Sequence, residues 1–190
     1  MTRNLIMVAV LGLTGAIGAG AQSEGHASTA AQAEPAKAFD VALSSVEKEF
    51  MSAANAMPAE KYSFTPASLA ISGAKYDGVK TFAQEVTHVT QANYFYFSAA
   101  SGLKPDPNVK AIGALKTKAE IVAAAAASFT FGHRAMATLT KQNAFDVVKG
   151  DDVQTRATLA GEAVAHAFDH YGQMVEYLRM NGVVPPASVK

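Results

Sequence analysis

VQTRATLAGEAVAHAFDHYGQMVEYLRMN, residues 153–181, decides how the rest of the chain is read. Ala160, Val164, Ala167, Tyr171, Met174 and Leu178 recur at steps of three and four, the stripe of one helix face. Arg179 stands in the last turn, Gly182 just past it and Pro185–Pro186 beyond. A cation near the closing carbonyls, a residue free to turn left-handed, and a residue that cannot continue a helix make a complete stop signal. The segment is therefore expected to form one long helix.

Three more stretches carry the same period. Phe39, Leu43, Val46, Phe50, Ala53 and Met57 form a stripe that Pro58 interrupts. Val79, Phe82, Val86, Val89, Asn93 and Phe97 mark a second helix, ending near Ser101–Gly102. Thr117 to Gln142 reads as a third, with Thr117 and Glu120 at capping-box spacing and a stripe of Ile121, Ala125, Phe129, Gly132, Met136 and Leu139. Tyr62 to Gly78 lacks a sustained period and is read as a long connection, so the first two helices are not a simple hairpin. No stretch alternates with period two for long, and no segment repeats another. The expected fold is all-α, a four-helix bundle over residues 38–190.

The N-terminus reads as an address. Arg3 precedes the apolar run Leu5–Leu11, which thins into Gly and Ala and ends at Ala19–Gly20–Ala21. That layout is a secretory signal peptide over residues 1–21, too short and Gly-rich for a comfortable membrane span. Residues 22–37, rich in Ala, Ser, Gln and Glu, read as a flexible linker, with His26 exposed in it. An exported protein, periplasmic or extracellular, with no stable membrane anchor after cleavage, is expected.

Composition narrows the chemistry. The 190 residues carry 16 Lys plus Arg against 16 Asp plus Glu, and 17% are charged. Low charge content with balanced signs argues against the clustered Lys and Arg that phosphates need, although a local patch fits within a neutral total, so a nucleic-acid partner is not expected. There is no cysteine, so disulfides, thiolate nucleophiles and Cys-ligated zinc are excluded. Any metal must be held by nitrogen and oxygen. No glycine-rich phosphate loop or Ser–His–Asp order suggests another enzyme class.

His166 and His170 are four apart on the last helix and project from one face, a spacing that lets two imidazoles share an ion. Ala167 stands where the zinc-protease motif has its catalytic Glu, so that reading fails. On the helical wheel the pair lies on the flank of the apolar stripe, about 100° from its centre, aligned with Glu162, Gln173 and Tyr177. His88 is likewise displaced from the stripe of the second helix. Stripe flanks line grooves between helices, where a bound ion keeps an accessible position; three solvent-facing histidines are the plain alternative. Glu162, one turn before His166, is a candidate fourth ligand, orienting group or base, or else a solvated charge. Glu85, three before His88, carries the same ambiguity, and Gln173 is a candidate for hydrogen bonding across helices. His133 reads as structural or exposed before it reads as site-lining. Tyr94–Phe95–Tyr96–Phe97 puts aromatics on several faces, so some must line a groove or an interface.

Met57–Pro58–Ala59–Glu60–Lys61–Tyr62–Ser63–Phe64–Thr65–Pro66, Phe82–Ala83–Gln84–Glu85–Val86–Thr87–His88, and the closing run from His166 to Pro186 resemble the DinB/YfiT-like family over residues 38–190. The resemblance implies a four-helix bundle with an inward metal site made by three histidines, one from the second helix and an HxxxH pair from the last. Those roles carry over to His88, His166 and His170. Zinc is the first choice from nitrogen ligands, with nickel, iron and manganese open. Some relatives use low-molecular-weight thiols of the cytoplasm, which an exported protein would not meet. The expected function is a metal-dependent hydrolase or group transferase acting on a small molecule. A non-catalytic metal- or ligand-binding bundle is the alternative, and a structural bundle, monomeric or homodimeric, a third.

Overall fold

A computed structural model describes residues 31–148 and 153–189. The expected signal peptide, residues 22–30 of the expected linker, and His26 lie outside the described residues. Four α-helices carry the fold: α1 Pro35–Ala56, α2 Phe82–Ser101, α3 Lys118–Met136 and α4 Arg156–Met180. Short 3₁₀ turns punctuate the connections, and among the described residues the only β pairing is an isolated bridge between Val147 and Thr155. No helix among the described residues is long and apolar enough to cross a membrane.

The helix ends follow local chemistry more closely than the apolar stripes do. The helix α1 begins at Pro35, so residues 35–37 belong to it and not to the linker. Proline fits the first helical position because its fixed φ suits the turn and its missing N–H would have no partner there. Val79 falls outside α2, because Thr81 caps the helix: its hydroxyl accepts from the Gln84 N–H, while Gln84 Oε1 accepts from the Thr81 N–H. Thr117 and Glu120 make the expected capping box at α3. That helix stops at Met136, short of the expected Gln142. Thr138 turns its hydroxyl onto the Ala135 carbonyl, and Asn143 Oδ1 accepts from the Thr140 N–H. Such side chains offer the backbone an alternative to helical hydrogen bonding. The start of α4 moves from Val153 to Arg156, with Thr155 and Thr158 as its caps.

In the bundle α1 packs on α3 and α4, and α2 packs on the same two, leaving α1/α2 and α3/α4 as diagonals. Residue pairs set the directions. Lys118 at the start of α3 donates to the Asn55 and Met57 carbonyls at the end of α1, so these helices run antiparallel. Arg156 at the start of α4 donates to the Ala100 carbonyl at the end of α2, giving a second antiparallel pair. Both cations sit on the carbonyl ends that a helix leaves unpaired. Between α2 and α3, Asn93 meets Ser128 and Phe97 meets Gly132, so this pair is parallel. The α2–α3 connection must therefore return along the bundle, and its turn Val109–Ala114 packs on α2, where Gln91 donates to the Val109 carbonyl.

The core is the common interior of all four helices. Leu43, Val46 and Phe50 of α1, Phe82, Val86 and Phe97 of α2, Ile121 and Phe129 of α3, and Met174 and Leu178 of α4 are buried in it. Phe50 and Phe129 meet with ring centroids 5.6 Å apart. Gly132 is required by this packing, since a Cβ there would lie 2.5 Å from a ring carbon of Phe97. Of the aromatic run on α2, Tyr94 and Phe97 are buried, Tyr96 is half-buried and Phe95 is exposed.

Burial corrects the expected stripe of α4. Val164 and Tyr171, placed at its centre, are only half-buried, whereas Ala163, His170 and Tyr177 are buried. The helix serves two seams at once, against α1 and α2, and the α2 seam draws the buried face toward His170. So His170 belongs to the interior and not to the flank.

Candidate metal centre

The antiparallel seam of α2 and α4 builds the site. Glu85 and His88 stand one turn apart on α2, and His166 and His170 one turn apart on α4. Each pair shares a side of its helix. Tyr177, buried on α4, donates its hydroxyl to the Lys80 carbonyl at 3.0 Å, which fixes the entry to α2 against α4.

One ligand nitrogen from each of His88, His166 and His170 lies within 4.8 Å of the others. Nε2 of His166 is 3.2 Å from Nε2 of His88, and the three ring centroids are 4.6–5.0 Å apart. Two nitrogens each about 2.05 Å from one zinc ion at the tetrahedral angle would be about 3.3 Å apart. The His88–His166 spacing matches joint ligation, and His170 brings a nitrogen within 4.8 Å of both.

The surroundings of the rings agree with that use. Nδ1 of His170 is bonded to the buried carboxylate of Glu85, which leaves Nε2 as its free nitrogen. A carboxylate on the far nitrogen fixes the tautomer of a ligating imidazole and raises its basicity. Nδ1 of His166 is buried with no hydrogen-bond partner among the described residues, so protein hydrogen bonding does not consume it. Burial, then repulsion by His170 and His88, pushes the pKa of His166 down to about 4. Burial, then His170 and Lys80, lowers that of His88. Both rings are therefore neutral near pH 7 and carry the lone pair a metal needs. Tyr96 walls the cluster, its ring centroid 5.8 Å from that of His166.

Two residues expected near the site sit elsewhere or only at its edge. Glu162 is exposed and its carboxylate accepts from Gln154 Nε2 at 3.4 Å, so it is neither ligand nor orienting group here. Helical rotation explains this: the eight residues from Glu162 to His170 turn the helix about 80° past two full turns, so with His170 inward Glu162 lies outside the buried seam. Gln173 is exposed, donates to Asp169 at 3.3 Å and reaches His170 Nδ1 only at 3.5 Å, a marginal contact beside that of Glu85. Glu85, which the sequence left ambiguous, is the carboxylate that meets His170 Nδ1.

His133 lies in the other antiparallel seam. Its Nδ1 is 2.5 Å from Asp40 and its Nε2 2.8 Å from Glu47, both on α1. Burial lowers its pKa, but hydrogen bonds to Asp40 and Glu47 outweigh this and leave it raised. A raised folded-state value means that the clasp stabilises fully below the unfolded pKa of about 6.5 and fades as pH rises through the folded value. We expect wild type to melt above His133→Gln near about pH 6 and the gap to close by about pH 9. The groups are about one-third to one-half exposed, so each pair contributes under about 1 kcal/mol. Melting temperatures across that range check it.

The model of the DinB superfamily matches residues 42–174, most of the chain and all three histidines. No curated protein matches this chain.

Proposed function

The chain belongs to the DinB superfamily, and from that premise we propose that His88, His166 and His170 hold one divalent cation for a metal-dependent enzyme acting on a small molecule. The convergence of three imidazoles from α2 and α4 carries this reading. Zinc is the first candidate for an all-nitrogen set, ahead of nickel, iron and manganese. Held by three neutral ligands, such an ion keeps its full charge and supplies Lewis-acid chemistry, acidifying water and polarising a substrate carbonyl. Hydrolysis or group transfer is the corresponding reaction class.

The chain's own residues supply positioning. Glu85 holds the His170 ring in one tautomer. The Tyr177–Lys80 bond keeps α2 in register with α4, so that His88 stays opposite the HxxxH pair. Tyr96 covers one side of His166. Exchanging Glu85 for Gln removes the orienting charge while keeping the shape, and is expected to weaken metal affinity about 10–100-fold. Competition against a chromogenic chelator measures it; unchanged affinity would leave Glu85 without that role.

One observation favours a non-catalytic binding bundle as the second reading: Glu85, the carboxylate at the cluster, is engaged with His170 and is not free to act as a base. Turnover of ester and amide substrates that stops on chelation supports the enzyme. Metal-dependent ligand binding without turnover supports the binding bundle. Residues 1–21 further support the proposal that the protein is exported. Intact-mass analysis of secreted material beginning at Gln22 is the expected result; a retained leader would count against it.

A further inference from the structure

A cavity of about 480 Å³ opens beside the histidine cluster, and His88 belongs to both. Gly78 and Gly113 leave it wide, and Lys80, Gln84, Thr87 and Gln91 give it polar walls. Among the described residues lining it, Lys80 is the only charged one and none is a carboxylate. Its main chain is pinned by the Tyr177 hydroxyl, so the ammonium starts from a fixed point one residue before the cap of α2. The amides are partly engaged on their outer sides: Gln84 Oε1 accepts from the Thr81 N–H and Gln91 Nε2 donates to the Val109 carbonyl. That leaves Gln84 Nε2 as a further donor beside Lys80.

A cation on an anchored main chain, an amide donor and no carboxylate among the described lining residues select for negative charge. We infer that the substrate is a small molecule bearing an anionic group, which Lys80 holds in this cavity while the reacting end meets the metal at His88. The inference rests on the metal reading above and adds the substrate class to it. Only a molecule with both features spans both anchors, so Lys80 selects by charge and the histidines by chemistry.

The test uses the full zinc-loaded chain and calorimetric titration with hydroxamates, which chelate zinc without turnover. Acetohydroxamate is compared with the monohydroxamates of succinate, glutarate and adipate, and each carboxylate probe with its phosphonate counterpart. At least one anionic probe should bind about fivefold tighter than acetohydroxamate, a modest gain because Lys80 is half-exposed. The tighter of carboxylate and phosphonate identifies the anion. The gain should vanish in Lys80→Gln and persist in Lys80→Arg. No gain in wild type, or a gain that survives in Lys80→Gln, would overturn the inference. Loss in Lys80→Arg as well would assign the effect to local structure and overturn it equally. Zinc content, measured on the same samples, separates this failure from that of the metal reading: a chain that retains no zinc fails at the histidines and takes the inference with it.

Discussion

His170→Ala should lower divalent-metal affinity by more than about 100-fold, beyond the 10–100-fold typical of losing an orienting partner. The ring supplies one of three nitrogens that meet within 4.8 Å, and two imidazoles leave a site short of the three protein ligands usual for a catalytic ion. The substitution has a second consequence. Glu85 is 1% exposed, and losing His170 leaves its carboxylate buried without that partner. Leaving a buried polar group without its partner costs about 1–3 kcal/mol, and more for a charged one. His88→Ala separates the two effects, since His88 is half-buried and, among the described residues, its ring shows no carboxylate contact. Both variants should lose metal, and only His170→Ala should also lose stability as apoprotein. Elemental analysis after dialysis, with urea melts of the metal-free chains, reads both. Full metal retention in either variant would remove that ring from the ligand set.

Phe129→Ala should cost about 3–5 kcal/mol of folding free energy. Phe129 is 0% exposed and its ring packs on Phe50 across the α1–α3 seam. Truncation removes the transfer energy of the ring and leaves a void that four close-packed helices can fill only in part. Domains of this size are stable by about 5–15 kcal/mol, so the loss consumes a large share. A fall of about 6–20 °C in melting temperature corresponds to it. The urea midpoint should drop with little change in slope. A loss under about 1 kcal/mol would show that this seam is not the tightly packed centre of the bundle.

Much of this architecture is written in the chain. The four apolar stripes state helix number and order, because a face that must be buried repeats every three or four residues whatever its partner. Thr117 and Glu120 could be read as a cap, since that signal is local. Thr155 and Thr158 were less legible: a threonine in place of the usual Glu or Gln closes the same box with a hydroxyl. The overrun of α3 past Met136 has the opposite cause, an apolar Leu139 that continues the stripe in a turn. Leu139 is buried, but Thr138 and Asn143 hold its backbone out of the helix.

The candidate centre was legible in part. His88, His166 and His170 were singled out, the pair by spacing and the trio by family resemblance. The choice between Glu85 and Glu162 was not available, for both sit one turn from a histidine. It depends on the rotation of α4, which two neighbouring helices set together. A buried glutamate beside a buried histidine is a tertiary fact with no local signature. The same holds for His133, whose partners Asp40 and Glu47 are more than 80 residues away in sequence. Lys80 carried no signal at all until the fold placed it in one cavity with His88.

X-ray absorption at the zinc edge of the reconstituted protein reads directly whether the three histidines share one ion. Three imidazole nitrogens at about 2.0–2.1 Å are expected, with the outer-ring scattering typical of histidine, falling to two in His88→Ala. A shell of oxygen donors alone, or a spectrum that His88→Ala leaves unchanged, would contradict shared ligation.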